Sequence, residues 1–319
     1  MISKEHKKHA DVVKPKGGKF HFYELGILGA PCGIIQKLAK QVKEVLPNLQ
    51  ISYVDADHGE GKDAPSYHAQ YTDKIGFHEI QFHSQYVEYE FRYHLNNSDF
   101  TLVNGNHFKS DEQLVIINAK KKESLERKLD RLTNLKGFIL DEGMEAPFDF
   151  LFEHNPDWEA LPVFKLKETD KITGYIKEWY SQQIPAINGL VLAGGKSTRM
   201  GHDKSIIDYH GKPHAVFLAE MLSKKCNQTF ISKANESSHI DGFKVITDSF
   251  YDLGPFGGIL SAFRTNPNSA WLTVATDVPL LNLDTLKLLV QKRDPSKFAT
   301  CFHNPDTNFP EPLITIWEP

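Results

Sequence analysis

The feature that most constrains the fold is an apolar segment at residues 189–192, GLVL, followed by Ala193 and the glycine pair Gly194 and Gly195. A short apolar run of this kind is typical of a strand buried on both faces, as in a parallel sheet covered by helices. Glycines directly after such a strand let backbone N–H groups approach a base or phosphate closely, and the next helix N-terminus favours anions. The pattern therefore predicts an α/β domain with a ligand-binding loop at the strand end.

Polar and basic residues follow the glycine pair at positions suited to a triphosphate. Arg199 and Lys204 supply mobile positive charge, and Asp203 is placed to orient the neighbouring ammonium group. Ser197 or Thr198 is a candidate cap for the turn. A glycine pair alone is more often a plain turn between a strand and a helix, so the prediction of a nucleotide site depends on the whole segment.

The full string LAGGKSTRMGHDK, followed by GKP at 211–213, resembles the signature of the MobA-like nucleotidyltransferases, the molybdenum cofactor guanylyltransferases. The resemblance continues in the same order through KVITDS at 244–249, GPFGGI at 254–259 and VATDVPLL at 274–281, and it covers about residues 187–319. It implies a Rossmann-like domain that transfers GMP from GTP to molybdopterin or Mo-molybdopterin with release of pyrophosphate. LAGG rather than LAAG favours this reaction over the cytidylyltransferases and sugar nucleotidyltransferases of the same fold.

The resemblance also assigns the site residues. It implies that the nucleotide is held by Leu192, Ala193, Gly194, Gly195, Lys204, Ser232, Asp248 and Asp277, and that the catalytic residues are Lys204, Arg199 and Asp277. For Asp277 the residues themselves agree, because an apolar strand delivers it at its carboxyl end and a hard carboxylate oxygen suits Mg²⁺. The alternative is that Asp277 caps a turn before Pro279. We expect Mg²⁺ as the cofactor, with Asp277 as its ligand.

The implied reaction is in-line attack by a molybdopterin phosphate oxygen on the α-phosphorus of GTP. Lys204 and Arg199 would stabilise the triphosphate charge, and no general base is needed because the attacking phosphate is already an anion. GPFGG adds a flexible backbone stretch placed to close over the guanine or the acceptor. Molybdoenzymes or their chaperones are the implied protein partners. The family continues beyond the strand EPLITIW, so we expect a domain truncated at Pro319 whose acceptor half lies outside this chain.

A second strand, loop and helix opens the N-terminal half at residues 24–42, ELGILGAPCGIIQKLAKQV. The loop occupies the place of a phosphate-binding loop, but Gly33 is followed by Ile34 and Ile35 rather than by the Lys and Ser or Thr of a true P-loop. Phosphate affinity and hydrolysis should both suffer without them. This degenerate loop keeps open a different class of function, a non-catalytic nucleotide-binding adapter.

The N-terminal half resembles MobB, the GTP-binding adapter of the same pathway. The segments that carry this resemblance are VDADH at 54–58, LVNGNH at 102–107 and LPVFKL at 161–166. It implies a P-loop-like α/β domain. Between these segments, residues 66–94 alternate aromatic and polar side chains, which favours antiparallel strands with one wet face.

These patterns predict two α/β domains joined near residues 182–186, where Pro185 discourages continuation of a helix. The expected organisation is a basic flexible tail at 1–18, a MobB-like domain at 19–183 and a MobA-like nucleotidyltransferase domain at 187–319. The first twenty residues hold six lysines and are most simply a solvated extension.

Composition excludes several classes of protein. The chain has 319 residues, of which 40% are hydrophobic, enough for a substantial core, and its net charge of −4 gives no basic field that would collect nucleic acid. No stretch reaches the roughly 18 apolar residues of a membrane span. Cys32, Cys226 and Cys301 are widely spaced, so neither a disulfide framework nor a zinc ribbon is indicated. We expect a cytoplasmic protein with no membrane or nucleic-acid partner.

Histidines crowd the N-terminal half and raise the question of a metal site. They include His58, His68, His78, His83, His94 and His107. Their spacing fits no standard zinc pattern, and alternate strand positions explain several of them as half-exposed residues. The structural interpretation is therefore favoured.

Overall fold

The computed structural model describes residues 9–56, 69–74, 76–82, 88–95, 97–193, 208, 211–234 and 242–319. The chain divides into two compact units, one formed by Gly17–Ser181 and the other by Met1–Lys16 together with Gln182–Pro319. Both are α/β, which confirms the predicted fold class. Within the described ranges, no helix has the length and apolar character needed to cross a membrane.

The unit Gly17–Ser181, called here the N-terminal unit, is built on a parallel sheet. Its strands are β1 (Glu24–Leu28), β2 (Ile51–Val54), β3 (Ala69–Lys74), β4 (Phe77–Phe82), β5 (Phe100–Asn104), β6 (Glu112–Ile117), β7 (Leu135–Leu140) and β8 (Val163–Lys165). Its α-helices are α1 (Cys32–Val45), α2 (Glu88–Leu95), α3 (Lys122–Glu126), α4 (Asp149–His154) and α5 (Thr169–Gln183). Among its described residues, short 3₁₀ helices lie at Ala119–Lys121, Leu129–Arg131 and Pro156–Ala160. The main sheet has the order β2-β5-β1-β6-β7-β8, and every neighbouring pair is parallel.

The first strand, loop and helix follow from local sequence. All five residues of β1 are buried, and α1 buries Ile35, Leu38, Ala39 and Val42, the spacing of one helix face. Gly29 turns the chain between them at a φ of 92°, and a Cβ there would lie 2.5 Å from the carbonyl oxygen of Ile116. Only glycine meets both conditions.

The alternating segment forms the predicted antiparallel pair over β3 and β4. Tyr71 and Ile80 face each other across the two strands and are 61% and 53% exposed. This hairpin is a two-stranded sheet separate from the parallel one.

The second unit, called here the C-terminal unit, is also built on one sheet. Its strands are β9 (Ile187–Leu192), β10 (Thr229–Lys233), β11 (Lys244–Thr247), β12 (Ala270–Ala275), β13 (Ala299–Asn304) and β14 (Phe309–Trp317), and its helices are α6 (His214–Ser223), α7 (Pro255–Thr265) and α8 (Leu283–Gln291). The order is β11-β10-β9-β12-β14-β13. The first four strands are parallel, and β14 is antiparallel to both β12 and β13.

Successive side chains of the central strands point to opposite faces of this sheet, and each face is covered by helices. On one face, Val191, Leu272 and Val274 pack with buried residues of α6 and α8, namely Leu218, Leu222, Leu286 and Leu289. On the other, Leu190 and Trp271 pack with Ile259 and Ala262 of α7. The result is a three-layer α/β/α unit whose β9 is buried along its whole length.

Residues 9–16 belong to the segment expected to be a flexible tail, and they lie against the C-terminal unit. The backbone N–H of Ala10 donates to the carbonyl of Ser249 at 3.3 Å, and that of Lys16 donates to Asn268 Oδ1 at 2.8 Å. The His9 ring stacks on Tyr251 and accepts a hydrogen bond from its backbone N–H at 3.1 Å. Part of the basic segment is therefore in contact with the folded unit.

Candidate active site

The carboxyl ends of four parallel strands meet at one edge of the C-terminal sheet. From β9 the chain moves outward to β10 and β11, and then crosses over to β12 on the other side of β9. In open α/β sheets this reversal leaves a crevice at the carboxyl ends of the two strands where it occurs. Leu192 and Ala275 are paired in register at that point, so Ala193 and the predicted Asp277, which follow these two residues, lie at the same end of the two strands.

The start of the glycine loop is fixed to the neighbouring strand. Leu192 and Ala193 are 7% and 8% exposed, and the backbone N–H of Ala193 donates to the carbonyl oxygen of Ser232 at 3.1 Å. The predicted residues Gly194, Gly195, Arg199 and Lys204, together with Ser197, Thr198 and Asp203, lie outside the described residues.

Ser232 and Asp248, which the sequence suggested separately, are in direct contact. Ser232 Oγ donates a hydrogen bond to Asp248 Oδ1 at 2.7 Å, and the two residues are 1% and 8% exposed. The backbone N–H of Asp248 donates to the carbonyl of Lys233 at 2.9 Å. Burial raises the pKa of Asp248, and the hydrogen bond from Ser232 opposes part of that rise. The carboxyl group is thus held in one orientation at the edge of the sheet.

The segment GPFGG has a different conformation from the expected one. Instead of a flexible stretch, it forms the start of helix α7, which begins at Pro255 after Gly254 with a φ of 58°. A Cβ at Gly258 would lie 2.5 Å from Ser232 Oγ and 3.0 Å from Leu192 Cδ2. The glycines therefore let α7 approach the sheet directly behind the Ser232–Asp248 pair.

Ser261 is a site residue that the sequence reasoning missed. Its Oγ accepts a hydrogen bond from the backbone N–H of Ser249 at 2.8 Å and donates one to the carbonyl of Gly257 at 2.7 Å. The side chain is buried, at 2% exposure, and so joins the turn after Asp248 to the first turn of α7. The sequence feature that could have indicated this role is a serine at one of the buried positions of an amphipathic helix.

Asp277 lies in the turn after β12, and its side chain is exposed. An exposed carboxylate at this edge can serve as one ligand of a hard cation, while bound phosphates and water supply the others. Among the residues that the structure describes, no group of three or more His, Cys, Asp or Glu side chains is arranged to hold a metal ion. Asp277 thus offers one exposed carboxylate donor just beyond the carboxyl end of β12.

Residues 189–319 match the family described as the MobA-like NTP transferase domain. The C-terminal region is a MobA-like NTP transferase domain. This confirms the family predicted for this half. The match begins two residues inside β9 and extends through β14.

Two curated proteins are similar to this chain over less than half of its length. A molybdenum cofactor biosynthesis bifunctional protein from Synechocystis is 36% identical over 134 residues, which is 41% of this chain and 39% of that protein. A molybdenum cofactor guanylyltransferase from Xanthomonas euvesicatoria is 34% identical over 103 residues, covering 32% of this chain and 52% of that protein. The chain therefore spans about two fifths to one half of the length of these relatives.

Two solved structures have some similarity to parts of this chain. A MobB protein homolog from Bacillus stearothermophilus has 15% identity and a TM-score of 0.36, covering 50% of this chain and 98% of that one. A molybdopterin-guanine dinucleotide biosynthesis protein A from Archaeoglobus fulgidus has 24% identity and a TM-score of 0.33, covering 41% of this chain and 67% of that one.

Outside the MobA-like domain, the degenerate loop of the N-terminal unit is joined to the segment after β5. The N–H of Gly29 donates to Asn106 Oδ1 at 3.2 Å, and Asn106 Nδ2 donates to the carbonyl of Ala30 at 2.7 Å. These two contacts join the loop to the segment after β5.

The histidines of the N-terminal unit lie in different surroundings. The side chain of His78 is 67% exposed, and its Nδ1 lies 3.3 Å from Asp73 Oδ1; His94 is also exposed. His107 lies beside Cys32. His58, His68 and His83 fall outside the described residues.

Proposed function

We propose that the MobA-like domain is a molybdenum cofactor guanylyltransferase, which transfers GMP from GTP to molybdopterin or Mo-molybdopterin and releases pyrophosphate. The family match over residues 189–319 supports a nucleotidyltransferase, and the name of the Xanthomonas relative supports this acceptor. The observation that carries the proposal is the buried Ser232–Asp248 pair, which lies at the carboxyl ends of β10 and β11 in the MobA-like domain. Ser232 is joined there to Ala193 at the end of β9.

In this proposal the nucleotide occupies the crevice between the ends of β9 and β12. Asp248 Oδ1 is already engaged by Ser232, so Oδ2 is the carboxylate oxygen left to accept an O–H or N–H of the nucleotide. A buried carboxylate held by its neighbours needs little reorganisation when the ligand arrives, which favours binding.

Mg²⁺ is the proposed cofactor, and Asp277 is its proposed protein ligand. When bound, the cation neutralises charge on the phosphate oxygens of GTP. Arg199 and Lys204 have the proposed role of stabilising the triphosphate. The molybdopterin phosphate needs no base to activate it because it is already anionic. In this proposal the rate acceleration comes from positioning the two reactants and from neutralising the charge of the triphosphate.

The test is pyrophosphate release by the full chain with Mg²⁺, comparing GTP with CTP and molybdopterin with a sugar phosphate as acceptor. The proposal predicts release with GTP and molybdopterin. Release with CTP or with the sugar phosphate would instead identify another nucleotidyltransferase of this fold. Nucleotide binding without release in any combination would favour the adapter.

The role of Asp277 is tested by substituting it with alanine. D277A should abolish Mg²⁺-dependent transfer while nucleotide binding in the absence of the metal persists. Asp284 supplies a control, since it is another exposed aspartate of the same unit and pairs with Lys287. D284A should retain transfer; full activity in D277A would contradict the proposed metal ligand.

A further inference from the structure

The N-terminal unit contains a cysteine–histidine pair that the transferase reaction does not use. Cys32 is the first residue of α1, and its Sγ lies 3.2 Å from Nε2 of His107. Cys32 is partly exposed, and His107 is held in the loop that follows β5, where its backbone N–H donates to the carbonyl of Asn104 at 3.0 Å. A thiol at a helix N-terminus and within hydrogen-bond reach of an imidazole is the setting that favours a nucleophilic thiolate.

Asp55 adds a fixed negative charge next to the imidazole nitrogen that contacts the thiol. Its Oδ1 lies 3.7 Å from the same Nε2 of His107, and the two side chains are only 15% and 16% exposed. An ionised carboxylate at this distance stabilises the imidazolium form of His107, the form that exists once the histidine has taken the thiol proton.

The Asp55 carboxylate is itself held by four donors. Tyr53 OH and Gln36 Nε2 donate to Oδ2 at 2.8 and 3.0 Å, and Asn104 Nδ2 and the N–H of Ala56 donate to Oδ1, both at 2.8 Å. Desolvation alone would raise the pKa of Asp55, but these hydrogen bonds outweigh it and lower the pKa below its usual range. The charge beside His107 is thus permanent near neutral pH.

The surroundings of the thiol also carry positive charge. Lys128 Nζ donates to the carbonyl of Asn106 at 3.0 Å, and Arg131 Nη1 donates to the same carbonyl at 3.1 Å. Both cations therefore sit on the residue next to His107. The loop that bears Cys32 is joined to this segment by the two hydrogen bonds of Asn106 described above, so the thiol and imidazole are held together.

We propose that Cys32 is a reactive thiol that undergoes exchange with small disulfides, with His107 as its proton acceptor and Asp55 as the residue that positions and charges the imidazole. His107 takes the thiol proton, and the Cys32 thiolate attacks one sulfur of the disulfide. The disulfide bond breaks as the new bond to Cys32 forms. The departing thiolate takes the proton from His107, so Cys32 is oxidised and one half of the small disulfide is reduced.

The chain supplies its own comparison thiols. Burial raises the pKa of Cys226 to about 12, so that thiol should react slowly. Cys301 is partly exposed, like Cys32, but lies on strand β13 rather than at a helix N-terminus. A difference in rate between Cys32 and Cys301 therefore measures the effect of the surroundings of Cys32.

The experiment uses the full chain and two probes, Ellman's reagent and oxidised glutathione, with the modified peptides identified by mass spectrometry. At pH 7 Cys32 should react at least about tenfold faster than Cys301. H107Q should lower the Cys32 rate at pH 7 about tenfold, because the thiol then lacks its proton acceptor. H78Q replaces an exposed histidine of the same unit and should leave the rate unchanged.

Equal rates for Cys32 and Cys301 would overturn the proposal, as would an unchanged Cys32 rate in folded H107Q. The comparison between the two cysteines is made in the unsubstituted chain, so it decides the matter even where a variant fails to fold. Modification of Cys32 does not depend on the guanylyltransferase proposal, because the assay requires neither GTP nor molybdopterin.

Discussion

Ser232 Oγ donates a 2.7 Å hydrogen bond to Asp248 Oδ1 across two neighbouring strands of the MobA-like domain. Both side chains are buried, so the carboxylate has lost much of its hydration and is hydrogen-bonded instead to the Ser232 hydroxyl group. Burial raises the pKa of Asp248 for this reason. A charged carboxylate that is buried in this way opposes folding at neutral pH, and groups with pKa values perturbed by burial are common at binding sites.

D248N should stabilise the domain at neutral pH and weaken nucleotide binding. The amide removes the charge whose desolvation opposes folding, and its oxygen can still accept from Ser232, so we expect a gain of about 0.5–2 kcal/mol. Native-state hydrogen exchange of the β10 and β11 peptides reports this change, and titration with GTP reports the loss of affinity. A destabilised D248N with unchanged affinity would contradict the binding role.

The stabilising effect of D248N should depend on pH. Because the folded-state pKa of Asp248 is raised, the folded domain binds this proton more tightly than the unfolded chain does. The contribution of Asp248 to stability is therefore present below the unfolded-state pKa and lost as the pH rises through the folded-state pKa. The advantage of D248N should be full at neutral pH and disappear in acid, as measured by hydrogen exchange at matched intrinsic rates. An advantage that does not change with pH would show that the charge is not its cause.

S232A should cost about 1–3 kcal/mol at neutral pH, since it leaves a buried carboxylate without its donor. The same hydrogen-exchange measurement tests this cost. Ser223 provides the control because its Oγ also donates a hydrogen bond, to the carbonyl of Glu220 at 2.8 Å, but at an exposed position. S223A should change stability by less than about 0.5 kcal/mol. Equal costs for the two variants would refute a special role for the buried pair.

S261A should lower the stability of the domain and also raise the KM for GTP. The substitution removes both hydrogen bonds of Ser261 Oγ, at a cost of about 1–2 kcal/mol, and releases the turn after Asp248 from α7. We expect a higher KM for GTP because the carboxylate is less well oriented. Steady-state kinetics and hydrogen exchange of residues 248–254 measure the two effects. Loss of stability with an unchanged KM would assign Ser261 a purely structural role.

The sequence predicted the positions at strand ends and missed the contacts between strands. Ala193 and Asp277 could be placed because an apolar run followed by a turn locates the carboxyl end of a strand without reference to any other segment. The Ser232–Asp248 contact joins residues 16 apart and requires the register of β10 on β11, which no local pattern supplies. Cys32 and His107 are separated by 75 residues, and only the parallel sheet order brings them together.

The packing of the α7 glycines is a second feature that could not be predicted from the sequence. Glycine adopts many backbone conformations, so the sequence predicts a flexible stretch at GPFGG. Tertiary packing overrides that preference, because α7 must lie close to Ser232 and Leu192. The function of these glycines could be seen only once the facing strand was in place.

Two glycine-to-alanine substitutions distinguish this packing role from helix propensity. G258A places a Cβ 2.5 Å from Ser232 Oγ and 3.0 Å from Leu192 Cδ2, so α7 must move or the Ser232–Asp248 hydrogen bond must break. We expect a loss of about 1–3 kcal/mol and weaker GTP binding. Gly174 is also helical, in α5, and a Cβ there meets nothing within 4 Å.

G174A should therefore stabilise the N-terminal unit by about 0.5–1 kcal/mol, the ordinary gain from replacing glycine within a helix. Hydrogen exchange measures both changes. It should slow in the α5 peptides of G174A and become faster in the α7 peptides of G258A. If G258A also stabilised its helix and bound GTP normally, the close approach of α7 to the Ser232–Asp248 pair would not be required for the site.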